Sequence, residues 1–521
     1  MLRFLRELPL VWFLMGASVA WLAILLLRRS EAGRRVRVVG WLGQGSGLVT
    51  LGVFVALNAC SLWSYMLDID EADILSISAL STHGKPVYHA INSASLSYSM
   101  MYGPLTFLIY HVGLLVGGGR FWVMRAMVVL ANLLLCFVLY STFRKVVSRN
   151  VAVALMALPL CQLLIQIKLS FGLRPDIWIV LGIALAVRAT LMDSEIGAAI
   201  LTGFFAGIVI DLKATVGFAF LLLLLMLYRR SGLKSVAIAA GVATLTGLAP
   251  FALPNISLAN YWSWLTLAGH ETRSAEMVGT ASAYAIFLIL PLVLLRWYGI
   301  PIWPERPGRR PVAEVSLLVC CLVVAIMVAS KTGAGIWHFW QLTPILAAYA
   351  VLAIGRASTV HPERIAYAVC ILAMGNMVVA LSFVRRDISM LNVLPLAQRE
   401  QLSTGRREID NYLKLYGGRS IQMGYGDRRS LVETLRYIPV LRGQPYTLDG
   451  SERLEVFLVP FPSELITKMA QCRNDVWLIP HGEPPFVYTY VYPPELHDTF
   501  VRDYKIDQQG AELDAWVCKA R

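Results

Sequence analysis

Long apolar runs recur along the first 384 residues, and they constrain the fold of this chain more than any other feature. We place these runs near residues 8–27, 38–64, 120–142, 151–168, 176–192, 196–212, 213–228, 235–253, 278–296, 312–330, 336–355 and 364–384. A helix needs about 20 apolar residues to cross the hydrocarbon core of a bilayer, and most of these runs approach that length. The chain is 57% hydrophobic and 15% charged, whereas about a quarter of the residues in a soluble domain are charged. We therefore predict a polytopic α-helical membrane protein with about 12 transmembrane helices.

The distribution of positive charge indicates the orientation of these helices. Residues before Arg385 include 28 Lys and Arg against 15 Asp and Glu, whereas the remainder has 18 of each. The basic short loops are residues 28–37, 144–149, 228–234, 296–310 and 356–364. The positive-inside rule assigns all of them to the cytoplasmic side. The excess of positive charge is thus an orientation signal, and we expect no nucleic-acid partner.

Two apolar segments need separate treatment. The first run contains a stretch that resembles a signal-peptide cleavage site, but it continues to Arg28, so we interpret it as an uncleaved anchor with its N-terminus outside. Residues 103–118 are apolar but shorter than a spanning helix. We expect this segment to lie on or half within the outer surface, as part of an outer loop over residues 65–119.

The composition changes after Phe383 to that of an ordinary soluble chain. Short apolar runs alternate there with helical patterns, which predicts a C-terminal α/β domain on the extracytoplasmic side. The predicted domains are an anchor helix with a basic loop (1–37), a transmembrane catalytic module (38–384) and the soluble domain (385–521). Cys472 and Cys518 lie in this last domain and can form a disulfide if the compartment is oxidising.

Four carboxylates, those of Asp68, Asp70, Glu71 and Asp73, lie within six residues at the start of the outer loop. Asp68 and Glu71 match an N-cap and its capping-box acid, which predicts a surface helix from about residue 69 to 83. This structural explanation leaves Asp70 without a role. A cluster of acids at the mouth of a helix bundle indicates a functional site.

The outer ends of the predicted spans carry more cations than the positive-inside rule leads one to expect. They are Lys168, Arg174, Lys213, Arg273, Lys331 and His338. Structural explanations exist for several, since Pro175 and Asp176 are ordinary helix-start residues and Asp211 with Lys213 fits a turn between spans. Together they indicate an anionic, membrane-embedded ligand such as a lipid phosphate.

The sequence resembles the GT-C superfamily of polytopic glycosyltransferases, which use polyprenyl-phosphate sugars and include the lipid A aminoarabinose transferases and the protein O-mannosyltransferases. The resemblance rests on an ordered series of short motifs: Asp70-Glu71-Ala72, Gly84-Lys85-Pro86-Val87-Tyr88, Tyr102-Gly103-Pro104-Leu105, Arg125, Arg174-Pro175-Asp176, Lys213 and Lys331-Thr332-Gly333. It implies transfer of a sugar, with inversion, to an envelope lipid, glycan or protein acceptor at the outer face of a bacterial inner membrane. It also implies a loop aspartate as the base, best matched by Asp70, with Asp68 and Glu71 as further candidates.

Roles for the remaining candidates follow from the same reaction. Cations must neutralise the departing lipid phosphate, and we assign Arg174, Lys213, Lys331, His338 and Lys168 to the donor phosphate. The acceptor or sugar is assigned to Lys85, Tyr88, Tyr102 and Asp176. No metal-ligand spacing is present, although Asp68, Asp70 and Glu71 offer oxygen ligands to a divalent cation such as Mg or Mn. The expected partners are the polyprenyl-phosphate-linked donor, the envelope acceptor and membrane lipids.

Two other functions remain open at this stage. One is a ligase or polymerase that uses polyprenyl-diphosphate glycans, and the other is a transporter or flippase of lipid-linked sugars. Transporters place ionisable residues near the bilayer midplane on broken helices. The charges in this chain cluster at the outer ends of the spans instead, which favours an enzyme.

Overall fold

The computed structural model describes residues 9–27, 31–62, 64, 70–91, 93, 98, 101–270, 272–303, 312–331, 333–358, 360–388, 396–426, 429–447, 461, 463–472, 475–487 and 492–519. The α-helices of the membrane part are α1 (Pro9–Leu26), α2 (Ala32–Ser61), α3 (Asp70–Thr82), α4 (Pro104–Gly117), α5 (Phe121–Arg144), α6 (Arg149–Leu155), α7 (Ala157–Leu164), α8 (Ile167–Phe171), α9 (Asp176–Thr190), α10 (Glu195–Leu212), α11 (Phe220–Leu248), α12 (Leu258–Gly269), α13 (Ala275–Trp297), α14 (Val312–Ala329), α15 (Thr343–Ala357) and α16 (Pro362–Asp387). In the part of the chain that the structure describes, three 3-10 helices join them: Ala214–Ala219, Ala249–Ala252 and Ile336–Leu342.

The C-terminal part contains shorter helices and four strands. In chain order they are α17 (Leu396–Leu415), β1 (Ser420–Met423), α18 (Arg429–Leu435), α19 (Tyr437–Leu441), α20 (Ser463–Gln471), β2 (Asp475–Pro480), α21 (Pro494–Asp503), β3 (Tyr504–Gln508) and β4 (Leu513–Cys518).

The chain is a multi-pass α-helical membrane protein, as predicted. Within the described residues, nine helical segments are long and apolar enough to cross a membrane. The predicted number of about 12 spans is not confirmed, because the helices do not follow the apolar runs one for one. The run at 151–168 is divided among α6, α7 and α8, since Pro159 cannot donate the hydrogen bond that would continue α6 into α7. The runs at 213–228 and 235–253 meet in α11, which is interrupted at Gly232 (φ 77°, ψ −172°).

Helix α4 is 14 residues long, too short to span, as the sequence led us to expect. It begins with Pro104 in the first turn and ends at Gly118, whose φ of 55° is a left-handed cap. Helix α5 follows with 24 residues and is long enough to cross.

Helix α3 agrees with the helix predicted for residues 69–83, although its expected N-cap, Asp68, lies outside the described residues. Its ten residues from Glu71 to Leu80 are all buried, so it is not a surface helix. It packs against α4 on the membrane side and against α19 of the C-terminal domain. The outer loop and the C-terminal domain thus meet at the same end of the bundle.

The C-terminal domain is built on one mixed sheet with the strand order β1-β2-β4-β3. Strands β1 and β2 are parallel, and the other two pairs are antiparallel. A disulfide joins Cys472, just after α20, to Cys518 at the end of β4. The α/β class was predicted from the sequence, whereas the sequence left this disulfide open, as a bond that depends on an oxidising compartment.

Candidate active site

Three carboxylates in the first turn of α3 point to three different parts of the molecule. Successive residues on a helix are rotated by about 100°, so Asp70, Glu71 and Asp73 cannot all face one neighbour. Asp70 pairs with Arg174 in the loop before α9, Glu71 with Arg125 in α5, and Asp73 with Arg436 of the C-terminal domain.

Asp70 faces a cluster of polar side chains at the end of the bundle that meets the C-terminal domain. Its Oδ2 accepts hydrogen bonds from Arg174 Nη1 and, at 3.4 Å, from the hydroxyl of Tyr102. The Asp70 side chain is 14% exposed, whereas that of Arg174 is 6% exposed. Asp70 is therefore a carboxylate that a small group can still reach.

Arg174 and Lys213 are held together by Asp176, the first residue of α9. Arg174 Nε donates to Asp176 Oδ2 at 3.1 Å, and Lys213 Nζ lies 3.6 Å from Asp176 Oδ1. The Asp176 carboxylate also sits at the positive end of the helix dipole. Lys213 lies between two apolar segments, and its burial lowers the pKa of the ammonium group, an effect that nearby Asp176 opposes. The result is two buried cations beside Asp70.

Aromatic rings line this cluster. The Tyr102 ring centroid is 5.5 Å from Lys213 Nζ and 5.9 Å from Arg174 Cζ, and the Trp337 centroid is 5.8 Å from Arg174 Cζ. The Tyr88 hydroxyl donates to the Tyr102 carbonyl at 2.6 Å. Tyr88 is fully enclosed, and burial raises its pKa well above the usual value. Tyr88 thus supports the wall of the site, while Arg174 lies between two aromatic rings.

His338 and Lys331 approach the cluster from the segment between α14 and α15. His338 is buried within electrostatic range of Lys213, Arg174 and Lys331, and its Nδ1 has no hydrogen-bond partner among the described residues. Lys331 Nζ donates to the Ala268 carbonyl of α12 at 2.8 Å. A buried ring nitrogen beside three cations is suited to an anionic ligand.

The Tyr102-Gly103-Pro104-Leu105 motif joins α4 to the end of α10. A side chain on Gly103 would collide with the Asp211 carbonyl oxygen, 1.3 Å from the position of its Cβ. The Leu105 amide donates to Asp211 Oδ2 at 2.8 Å, so this carboxylate caps α4. The turn at Asp211 is therefore a docking point for the loop that carries Tyr102.

Glu71, a candidate base from the sequence, lies in the interior. Arg125 donates to both carboxylate oxygens, at 2.9 and 2.8 Å, and both side chains are 0% exposed. The Leu173 amide adds a third hydrogen bond at 2.9 Å. This position gives Glu71 the role of fixing α3 to α5, and we do not propose it as the base.

Asp73 joins α3 to the C-terminal domain. Its Oδ1 accepts from the Tyr446 hydroxyl at 2.7 Å and pairs with Arg436. Both members of this ion pair are buried. The sequence places Asp73 in the acidic cluster, but its partner could not be predicted. Tyr446 is 373 residues away, and no local pattern connects the two residues.

Two further candidates lie apart from the cluster. Lys168 is exposed on α8. Lys85 is exposed in the loop after α3, where it lines a cavity of about 350 Å³ against the C-terminal domain. The structure thus brings Asp70, Tyr102, Arg174, Asp176, Lys213, Lys331 and His338 into one region and leaves Lys168 and Lys85 outside it.

Two of the three candidate ligands of a divalent cation, Asp70 and Glu71, are engaged by other groups, and the third, Asp68, lies outside the described residues. Glu71 is fully engaged by Arg125 and Leu173, and Asp70 shares an oxygen with Arg174. Within the described ranges, no group of three or more His, Cys, Asp or Glu side chains is arranged to hold a metal ion.

Comparison with proteins of known structure identifies the fold. Neither protein-family models nor curated protein sequences match the chain. The crystal structure of ArnT from Cupriavidus metallidurans bound to undecaprenyl phosphate matches with a TM-score of 0.55 at 14% identity, covering 91% of this chain and 98% of that one. The apo form of ArnT matches with a TM-score of 0.53 at 14% identity, covering 90% and 97%. ArnT is a GT-C glycosyltransferase, so the chain has the GT-C fold that its motifs led us to expect.

Proposed function

We propose that this GT-C-fold protein is a membrane glycosyltransferase that moves a sugar from a polyprenyl-phosphate carrier to an acceptor hydroxyl or amine at the outer face. The observation that carries the proposal is the ion pair of one reachable carboxylate, Asp70, with the buried Arg174, which shares Asp176 with a second buried cation, Lys213. A transferase of this kind needs both a base for the acceptor and positive charge for the leaving phosphate. The undecaprenyl phosphate bound to the similar ArnT structure supports the class of donor.

The cations form the leaving-group half of the site. Arg174 offers a planar fork of donors suited to phosphate, and Lys213 offers a point charge beside it. His338 adds a buried ring nitrogen on the same side. These groups stabilise the phosphate as negative charge develops on it, which lowers the barrier to cleavage of the sugar–phosphate bond.

Asp70 forms the half of the site that acts on the acceptor. The acceptor oxygen or nitrogen attacks the anomeric carbon, the bond to the phosphate oxygen breaks with its electron pair, and the acceptor proton passes to the Asp70 carboxylate. Without donor, Arg174 neutralises Asp70. A donor phosphate competes for Arg174 and so leaves Asp70 available as a base when the reaction can occur. A single displacement of this kind inverts the anomeric carbon.

Placement of the reaction outside the cytoplasm rests on two features. The basic short loops predict a cytoplasmic side opposite to the outer loop. The disulfide between Cys472 and Cys518 is of a type that persists in oxidising compartments such as the bacterial periplasm. We therefore propose a bacterial inner-membrane protein with a periplasmic C-terminal domain and an envelope lipid, glycan or protein as acceptor.

A complementation experiment tests the function. A deletion strain is compared with strains that carry the wild type, Asp70→Asn or the control Glu195→Gln, which alters an exposed acid on α10, all at equal membrane abundance. Mass spectrometry then measures polyprenyl-linked sugars and surface glycans. We expect the deletion and Asp70→Asn strains to accumulate one lipid-linked sugar and to lose that sugar from a surface product. An Asp70→Asn strain that matches the wild type contradicts the proposal.

A further inference from the structure

The C-terminal domain contains a cavity of about 240 Å³ between its sheet and helix α20. Strands β1 and β2 form its floor. Ser420 lies opposite Asp475 and Gln422 lies opposite Trp477 in the parallel register. Alternate residues of a strand face the same side, so these four side chains form one surface. Lys468 of α20 stands at the wall.

The polar character of this surface is unusual for the covered face of a sheet. On the opposite face, Ile421 and Val476 are fully buried, as in an ordinary core. On the cavity side, Gln422 is 9% exposed, and burial raises the pKa of the Asp475 carboxyl group. Ser420 and Arg419 compensate the Asp475 carboxylate in part, and further partners would offset the remaining cost of burying this carboxylate and the Gln422 amide. Convergent polar groups at an otherwise apolar cavity are typical of a ligand site.

The chemistry of the lining selects among ligands. Asp475 accepts hydrogen bonds, whereas Lys468 and the amide nitrogen of Gln422 donate them, so the surface matches hydroxyl groups, which do both. The Gln422 oxygen is already engaged by the Thr447 hydroxyl, which fixes the amide. Trp477 and Phe461 supply apolar ring surface. Arg419 opposes the charge of Asp475, and Glu464 pairs with Lys468, so the lining offers no excess of positive charge to an anionic lipid headgroup.

The cavity is also connected to the candidate active site. Pro445 and Thr447 line both this cavity and the second one, against the outer loop. Tyr446, between them, donates to Asp73, which lies on α3 three residues after Asp70. One short segment of chain therefore links the cavity wall to the helix that carries the proposed base.

We propose that this cavity binds a saccharide unit of the acceptor, which makes the acceptor a glycan or a glycolipid. The description of this saccharide as part of an acceptor rests on the proposed function. Saccharide binding itself can be measured without catalysis. Bound there, the distal part of an acceptor is held by the C-terminal domain while its reacting group lies near α3.

The test uses the full chain in lipid nanodiscs. Binding is measured on an array of bacterial envelope oligosaccharides and then by calorimetry with the best-bound oligosaccharide. The variants are Asp475→Asn and Lys468→Ala, and the control is Lys505→Ala, which changes an exposed lysine on β3. We expect saccharide binding by the wild type, a loss of about tenfold or more in affinity for both variants, and no change for the control. Thermal melting checks that each variant is folded.

Three outcomes overturn the inference: no saccharide binding by the wild type, binding that both cavity variants retain, or equal loss in the Lys505→Ala control. Kinetics separate this inference from the proposed function. The cavity variants should raise the KM for a glycan acceptor without lowering kcat, whereas Asp70→Asn should abolish transfer and leave saccharide binding intact. If the cavity variants bind saccharide and acceptor like the wild type while Asp70→Asn loses transfer, the saccharide site is refuted and the proposed function stands.

Discussion

Asp70 and Asp73 lie within one turn of α3 and each pairs with an arginine, yet they are placed for different purposes. Asp70 is 14% exposed and shares Arg174 with Asp176, beside a second cation. Asp73 is 0% exposed and is closed in by Arg436 and Tyr446 of the C-terminal domain. A base must reach the acceptor proton, so access rather than charge distinguishes Asp70, the carboxylate that we propose as the base, from Asp73.

Glu71 completes the comparison. With Arg125 it forms a bidentate pair that water does not reach. Removing one partner of such a pair costs about 3–5 kcal/mol, because the remaining charge stays buried without compensation. The acidic turn of α3 thus combines Asp70, which we propose as the base, with two carboxylates that fix the helix between the bundle and the C-terminal domain.

The largest expected effect separates Asp70 from its neighbours. Asp70→Asn keeps the shape of the side chain but removes the base, so we expect sugar transfer to fall by about 10²- to 10⁴-fold. The melting temperature should stay close to that of the wild type, since Asp70 is partly exposed. Single-turnover transfer and thermal melting, measured on the same preparation, check both expectations. Substantial residual transfer moves the base elsewhere, with Asp68 as the first alternative.

Glu71→Gln should show the opposite pattern. It leaves Arg125 buried without its ion partner, so we expect a loss of about 3–5 kcal/mol in the free energy of unfolding. The measurement is thermal melting together with the yield of folded protein in membranes. Transfer per folded molecule should remain within a few-fold of the wild type. A stable Glu71→Gln protein without activity contradicts the structural role.

A smaller effect is expected at the phosphate half of the site. Hydrogen bonds to charged groups contribute about 1.5–3 kcal/mol, so Lys213→Ala should weaken donor affinity by about 10- to 100-fold. Turnover at saturating donor should change less. The matched control is Lys168→Ala, which alters an exposed lysine outside the cluster. Equal donor affinity in the wild type and Lys213→Ala excludes a phosphate role for Lys213.

The smallest expected effect is a pH dependence of donor binding. Burial lowers the pKa of Lys213, so its ammonium loses its proton at a lower pH than an exposed lysine. Phosphate binds the charged form, hence donor affinity should be full at low pH and decline as pH rises through the lowered pKa. Lys213→Arg should remove this decline, because arginine stays charged. An identical pH profile in Lys213→Arg assigns the titration to another group.

Much of this architecture was predictable from local patterns. The bounds of α3 and the short α4 follow from local sequence signals and length. The pairing of Cys472 with Cys518 was a possibility that depended on the compartment, and the structure contains it. The gathering of Tyr102, Arg174, Asp176 and Lys213 followed from their expected position at the outer ends of spans. Predicted sidedness alone is enough to bring such residues to the same end of a bundle.

The partners of the individual carboxylates were not predictable. Helical periodicity turns Glu71 away from Asp70 and Asp73, but it does not show which element each carboxylate faces. Arg436 and Tyr446 come from a domain that follows the last span, and nothing local connects them to α3. The division of the 151–168 run depends on Pro159 and on packing. Apolar length alone therefore predicted one helix where the structure has three.

The most direct test compares Asp70→Asn with the double variant Glu71→Leu/Arg125→Met in one nanodisc preparation. Replacing both members of a buried ion pair by apolar residues of similar volume is often close to neutral, so the double variant should fold. The measurement is the single-turnover rate of sugar transfer from polyprenyl-linked donor extracted from the deletion strain. Our account predicts a folded but inactive Asp70→Asn protein and an active double variant. An active Asp70→Asn protein beside a folded, inactive double variant would contradict the assignment of Asp70 as the base.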